Sequence, residues 1–158
     1  MNRWLELLKQ NDFLGIKKYV RDGGDVNAKS ETGESVLAYA LRYKCDYDVI
    51  ELLIQNGADV RDTDNEGVSI FDMAITYENM EFIKYLVENG IYDVNETRRK
   101  SGFTPLMAAV CYGRTEVVKY LLEKGANKET KDSKGFDAKE FARKTNKKTI
   151  LNILNNEV

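Results

Sequence analysis

Glycine recurs along this chain at an almost constant interval, and that interval restricts the folds it can adopt. Two series of four glycines each advance in steps of 33 to 35 residues. The series are Gly33, Gly67, Gly102 and Gly135, and Gly23, Gly57, Gly90 and Gly125. A period of this length indicates a stack of similar supersecondary units rather than one conventional core.

The residues after each glycine of the first series predict a short helix. A short polar side chain follows two residues later and an alanine seven residues later. The polar residues are Ser35, Ser69, Thr104 and Asp137, and the alanines are Ala40, Ala74, Ala109 and Ala142. The polar oxygens can accept from the unpaired N–H groups at a helix start, so they are predicted N-caps. The alanine indicates that another backbone passes close to the helix.

A second helix is predicted before each glycine of the second series. Its apolar residues recur at i, i+1, i+4 and i+5, as in Val117, Val118, Leu121 and Leu122, which is one face of a helix. The glycine that follows can adopt the left-handed conformation that ends a helix. Polar segments such as residues 25–32 then form extended turns between one unit and the next.

Residues 102–135, GFTPLMAAVCYGRTEVVKYLLEKGANKETKDSKG, resemble the ankyrin repeat in their TPL helix start, their Gly113-Arg114 turn and their LLEKGA ending. The resemblance covers nearly the whole chain. It implies an all-α ankyrin-repeat solenoid of five helix-turn-helix units joined by short β-hairpin-like loops. The units of this single domain are expected at about 1–30, 31–63, 64–98, 99–131 and 132–158, the first and last being caps. The histidine that usually follows TPL is replaced, so its hydrogen bond is missing or remade.

The resemblance also implies an extended concave face that binds a partner protein. Tyr43, Tyr77 and Tyr112 each lie ten residues after a glycine of the first series, at a position that faces the groove in this family. Aromatic rings are common binding anchors, although a tyrosine here could simply cover the turn between helices. The expected partner-binding residues are Tyr43, Tyr77, Tyr112, Arg42, Thr76, Cys111, Glu34, Val68, Phe103, Phe136, Arg98, Lys100 and Lys131.

Charge changes sign along the chain. Residues 124–148 carry nine lysines and arginines against four carboxylates, whereas the residues before them are acidic overall. Such a polarity would orient a charged partner, although surface lysines can also serve solubility alone. Nucleic-acid binding is the alternative function, and the net charge of -2 argues against it as the main role. The cations for it are Arg98, Arg99, Lys100, Lys131, Lys134, Lys144, Lys147 and Lys148.

The absence of histidine removes Ser-His-Asp and Cys-His catalysis and His-based zinc sites. Cys45 and Cys111 have no partner at a catalytic or metal-ligand spacing and are expected to be free thiols. We therefore expect a non-enzymatic, stand-alone monomer without metal or cofactor, acting as an adaptor, an inhibitor or an accessory protein. No apolar run could cross a bilayer and no signal peptide is present, which predicts a cytoplasmic location. The Lys-, Asn- and Ile-rich composition hints at a bacterial genome.

Overall fold

The computed structural model describes residues 1–156, which form ten helices in five consecutive pairs. The helices are α1 Asn2–Lys9, α2 Phe13–Arg21, α3 Val36–Arg42, α4 Tyr47–Gln55, α5 Ile70–Thr76, α6 Met80–Glu88, α7 Pro105–Cys111, α8 Thr115–Glu123, α9 Ala138–Lys144 and α10 Lys148–Asn155. The predicted all-α architecture of helix pairs is confirmed. The last two residues of the predicted final unit lie outside the described residues. None of the described helices has the length and hydropathy that crossing a bilayer requires.

The helices group into two compact units whose boundary falls inside α5. The first unit spans Met1–Met73 and the second begins at Ala74. In the first unit α1 packs against α2 and α3, and α4 packs against α2 and α3. In the second unit α7 packs against α8 and α9, and α10 packs against α8 and α9. Within each unit, therefore, first helices pack on first helices and second helices on second helices.

The predicted N-caps are confirmed at all four positions. Each side-chain oxygen accepts a hydrogen bond from the backbone N–H three residues later. The distances are 3.2 Å at Ser35, 3.0 Å at Ser69, 3.2 Å at Thr104 and 2.9 Å at Asp137. Because these contacts are local, the polar residue alone specifies where the helix begins.

Three of the residues that replace the usual histidine complete a reciprocal cap. Asp72 is buried, and its Oδ2 accepts the backbone N–H of the N-cap Ser69 at 3.0 Å. Glu140 accepts the N–H of its own N-cap at 3.4 Å, and the sulfur of Met107 lies 3.4 Å from the N–H of its N-cap. The contact is thus remade within the helix start, as a capping box.

The helix ends and the core also follow the prediction. The second glycine series has φ values between 67° and 102°, the left-handed conformation. The four recurring alanines are at most 1% exposed, and Val117, Val118 and Leu121 are completely buried. The turn between α3 and α4, residues 43–46, is one residue longer than the other turns between paired helices.

Asparagine side chains tie neighbouring inter-repeat loops together. In the first unit Asn27 donates to the carbonyl of Gly57 at 2.9 Å and accepts the N–H of Asp59 at 2.9 Å. Asn95 makes the equivalent pair of bonds in the second unit, at 3.3 Å and 2.8 Å. Each asparagine therefore connects its own loop to the next inter-repeat loop by two hydrogen bonds.

Candidate functional site

Each predicted anchor tyrosine directly follows the first helix of its repeat. Tyr43 and Tyr112 are the C-cap residues of α3 and α7, and Tyr77 follows the last residue of α5. The next residue has a positive φ in every case, between 54° and 70°, so the chain turns away from the helix. Tyr112 is 52% exposed, and the other two rings are half-buried. None of the three rings is wedged into the hydrophobic core.

Tyr43 belongs to a cluster of rings and charges in the first unit. Its ring stacks on Tyr39 with centroids 6.0 Å apart, and the ammonium of Lys9 lies 5.7 Å from the Tyr43 centroid. The Arg42 guanidinium lies 5.0 Å from the Tyr39 ring and forms an ion pair with Glu34. The Tyr39 hydroxyl also donates to Glu34, at 3.3 Å. Glu34, Arg42 and Tyr43, which were predicted separately, are thus brought together by Tyr39.

Val68 takes part in packing within the first unit. Its backbone N–H donates to Asp64 Oδ1 at 3.0 Å. Its half-buried side chain lines a small cavity together with Ala38 and Met73. The equivalent predicted positions, Phe103 and Phe136, carry larger side chains that make different contacts.

Thr76 acts through its backbone. Its carbonyl oxygen accepts two hydrogen bonds from the guanidinium of Arg114, from Nε at 3.0 Å and from Nη2 at 2.8 Å. This pair of bonds fastens the end of α5 to the residue that precedes α8. The sequence indicated Arg114 only as the second residue of the family's turn, and this contact with Thr76 was not predicted.

The two cysteines have different surroundings. Cys45 is 4% exposed and its thiol donates to the carbonyl of Leu8 at 3.2 Å. Burial, assisted by the negative charge of Asp46, raises the pKa of the Cys45 thiol to about 11. Cys111 is half-buried; burial raises the pKa of its thiol, and the positive charge of Lys147 opposes that effect. Both are free thiols, as expected.

We predict a large difference in the reactivity of these thiols. At pH 8 a pKa of about 11 leaves only about one Cys45 side chain in a thousand as thiolate, the reacting form. In the Cys45→Ala variant the remaining Cys111 should therefore react with a disulfide reagent at least about tenfold faster than Cys45 does in Cys111→Ala. Absorbance of the released thiol measures both rates, and unfolding in guanidinium should equalise them. Equal rates in the folded proteins would contradict the prediction.

Phe103 and Phe136 meet in the second unit through a third ring. Both contact Phe141 edge-on, with centroids 5.4 Å and 5.9 Å apart. The Arg99 guanidinium lies 5.1 Å from the Phe103 centroid, and the Lys144 ammonium lies 3.9 Å from the Phe136 centroid. We call these five residues the phenylalanine cluster.

Sequence reasoning missed the central residue of both clusters. Tyr39 and Phe141 each lie six residues after a glycine of the first series. The other two repeats have Met73 and Ala108 there, both buried. Aligning the four repeats at that register position would have shown an aromatic residue in two of them. These two aromatic residues are the ones that the structure leaves half-buried.

The loop before Phe103 is built differently from the other inter-repeat loops. In those loops Ser30, Asp64 and Asp132 each accept the backbone N–H four residues later, at 2.9 to 3.2 Å. Arg99 occupies the equivalent position, and the N–H of Phe103 donates to Ser101 Oγ instead, at 3.3 Å. The Thr97 hydroxyl accepts the N–H of Arg99 at 3.2 Å and donates to the carbonyl of Phe103 at 2.7 Å. In this loop the Arg99 side chain lies over the Phe103 ring.

The remaining predicted cations lie mostly on two neighbouring loops of the second unit. The backbone N–H of Ser133 donates to the carbonyl of Ser101 at 2.8 Å, so these loops are in contact. Lys100 and Lys131 are exposed, and Arg98 Nε lies 3.8 Å from a carboxylate oxygen of Glu96. The other basic residues are on or next to α9 and α10, where Lys134, Lys144 and Lys148 are exposed and Lys147 is half-buried.

Comparison with known families agrees with this geometry. A model of ankyrin repeats in three copies matches residues 6–98 and 37–132, which is most of the chain. The chain belongs to the ankyrin-repeat family. Ankyrin repeats are generally protein–protein interaction modules and typically have no enzymatic activity of their own.

Two relatives carry the same family name. A Fowlpox virus (strain NVSL) protein named as an ankyrin repeat protein is 34% identical over 82 residues, covering 51% of this chain and 19% of the viral protein. An ankyrin repeat protein of Rickettsia bellii (strain RML369-C) is 34% identical over 82 residues, covering 52% of this chain and 47% of its own length. The matched region is thus less than half of either relative.

Proposed function

We propose that this ankyrin-repeat chain is a cytoplasmic, non-enzymatic module that binds a partner protein through the residues that end the first helix of its central repeats. Tyr43 contributes in the first unit, and Tyr77 and Tyr112 contribute in the second. The repeats concerned are residues 31–63, 64–98 and 99–131. Its role is that of an adaptor, an inhibitor or an accessory protein.

The observation that carries this proposal is an aromatic ring at the same structural position in three repeats, half-buried at Tyr43 and Tyr77 and exposed at Tyr112. An exposed ring costs little to immobilise on binding and brings a large contact area, which is why aromatic residues dominate binding energies. Tyr112, 52% exposed, is one of only three large hydrophobic residues that are exposed in residues 1–156. Tyr43 is held by its neighbours Tyr39 and Lys9, so little side-chain entropy remains to be lost when a partner binds.

The test is a variant with Tyr43, Tyr77 and Tyr112 all replaced by alanine. The partner is first captured from native lysate, identified by mass spectrometry and purified. Because each hot-spot ring contributes about 2 kcal/mol or more, affinity for that partner should fall at least about a hundredfold. The triple phenylalanine variant keeps the rings and should retain most of the affinity. Leu14→Ala, an exposed change on α2, serves as a surface control.

Circular dichroism and thermal unfolding must show that the alanine variant keeps its fold. If this folded variant still binds the partner with the affinity of the unchanged protein, the three tyrosines are not the binding residues. An unchanged affinity in the control variants together with a lost affinity in the alanine variant supports the proposal.

A further inference from the structure

The geometry of the second unit points to the chemistry of the partner. We propose that the phenylalanine cluster and the lysines of residues 131–148 bind an acidic polypeptide segment in which carboxylates alternate with apolar side chains. This inference rests on the proposed function, because it assumes that the chain's partner is a protein. It adds a second contact surface and states what that surface recognises.

The apolar part of the surface is formed by the three rings of the phenylalanine cluster. Phe103, Phe136 and Phe141 are all half-buried, so part of each ring remains accessible. The three rings touch edge-on and form one continuous apolar patch. A cation lies against the patch at either end, Arg99 over Phe103 and Lys144 over Phe136. A ligand that covers the rings therefore meets positive charge on both sides.

The positive charge of residues 131–148 is not neutralised by ion pairs within the described chain. No lysine or arginine from Lys131 to Lys148 forms an ion pair with any carboxylate of residues 1–156. Unpaired cations beside an apolar patch attract carboxylates and speed the encounter with an acidic partner.

Three carboxylates of this region are engaged with the backbone instead. Asp132 accepts the N–H groups of Lys134 and Phe136, at 3.0 Å and 2.9 Å. Asp137 and Glu140 form the reciprocal cap of α9. These three acids stabilise the turn and the helix start, so the lysine ammonium groups have no competing internal partner among them.

The same cations could attract nucleic-acid phosphates, but the rings favour a peptide. Binding of single strands relies on bases that stack on open aromatic faces. Here Lys144 and Arg99 already cover one face each of Phe136 and Phe103, and both rings meet Phe141 edge-on. Aliphatic and aromatic side chains of a peptide can pack against ring edges without such a face.

The experiment uses a phage-displayed library of random peptides about a dozen residues long. The library is selected on the full chain, on Lys131→Glu/Lys144→Glu, and on the control Lys17→Glu/Lys18→Glu. Lys17 and Lys18 are exposed on α2, so the control changes the net charge equally in the first unit. A third variant, Phe136→Leu, removes one ring but keeps apolar bulk.

The unchanged chain and the control should enrich the same peptides, rich in Asp and Glu with interspersed apolar residues. An enriched peptide, made synthetically, should bind Lys131→Glu/Lys144→Glu at least about tenfold more weakly by fluorescence polarisation, and added salt should weaken its binding to the unchanged chain. Phe136→Leu should bind the peptide several-fold more weakly. Failure to enrich peptides, enrichment of peptides without acidic residues, or equal binding by the charge-reversed variant would each overturn the proposal. So would tighter binding of an oligothymidylate than of the peptide.

Parallel selection on the triple tyrosine variant separates this inference from the proposed function. Acidic peptides that still bind the tyrosine variant, together with an unchanged affinity of that variant for the captured partner, would contradict the tyrosine site and leave the acidic-segment site standing. Loss of partner binding in the tyrosine variant, without enrichment of acidic peptides on the unchanged chain, would contradict only the present inference.

Discussion

Replacing Trp4 by alanine is expected to lower the free energy of unfolding by about 3–5 kcal/mol, the cost of removing a large aromatic side chain from a closed core. Trp4 is 1% exposed, and its ring meets Tyr19 edge-on with centroids 4.9 Å apart. Leu7 and Leu8 on the same helix are equally buried. The side chain therefore joins α1 to α2, and its truncation leaves a cavity between them.

Urea unfolding followed by far-ultraviolet circular dichroism measures this loss, since the variant has no tryptophan left for fluorescence. Leu14→Ala is the matched control in the same helix pair. Leu14 is 75% exposed, so its truncation should change the free energy of unfolding by no more than about 0.5 kcal/mol. Similar losses in the two variants would show that Trp4 does not hold the first repeat together.

The second large effect is expected at Gly33, where alanine should cost about 2–3 kcal/mol in the free energy of unfolding. Gly33 has a φ of 84°, and an added Cβ would lie 2.5 Å from the side-chain oxygen of Asn65 and 2.9 Å from its backbone nitrogen. That nitrogen donates to the carbonyl of Thr32 at 3.1 Å, so it cannot move away without losing a hydrogen bond between the two loops.

A Gly57→Ala variant separates the two causes of this stability loss, which are the left-handed backbone conformation and the steric contact between the two loops. Gly57 has a φ of 96°, which is as unfavourable for alanine, but an added Cβ would meet nothing within 4 Å. Gly57→Ala should therefore cost only about 1 kcal/mol, the penalty of the left-handed conformation alone. Chemical unfolding of the two variants gives the difference. If both substitutions cost the same, the close approach of the two loops does not contribute.

Much of the fold was predictable because its signals are local. A cap such as Ser35 bonds a backbone group three residues away, and a glycine such as Gly57 ends the helix beside it, so neither depends on distant parts of the chain. Because the same local signals recur with the repeat period, they predicted helix pairs along the chain.

The candidate surfaces were predictable only in part. The positions of Tyr43, Tyr77 and Tyr112 at the ends of first helices followed from the repeat register, and their role in binding stays a prediction. Tyr39 and Phe141 were missed because each is half-buried where its counterpart in another repeat is core. At this register position, a large aromatic side chain thus reaches the surface, whereas a smaller side chain stays in the core.

The sequence by itself determined the repeat, its helix boundaries and the sign of the charge in each region, because these depend on residue type and spacing alone. Only the tertiary structure decided which ring meets which cation. Phe103 and Phe141 are 38 residues apart, and Arg99 reaches Phe103 through a turn that Thr97 closes. Such contacts arise where helices and loops of successive repeats pack together, and their geometry depends on that packing rather than on any local pattern.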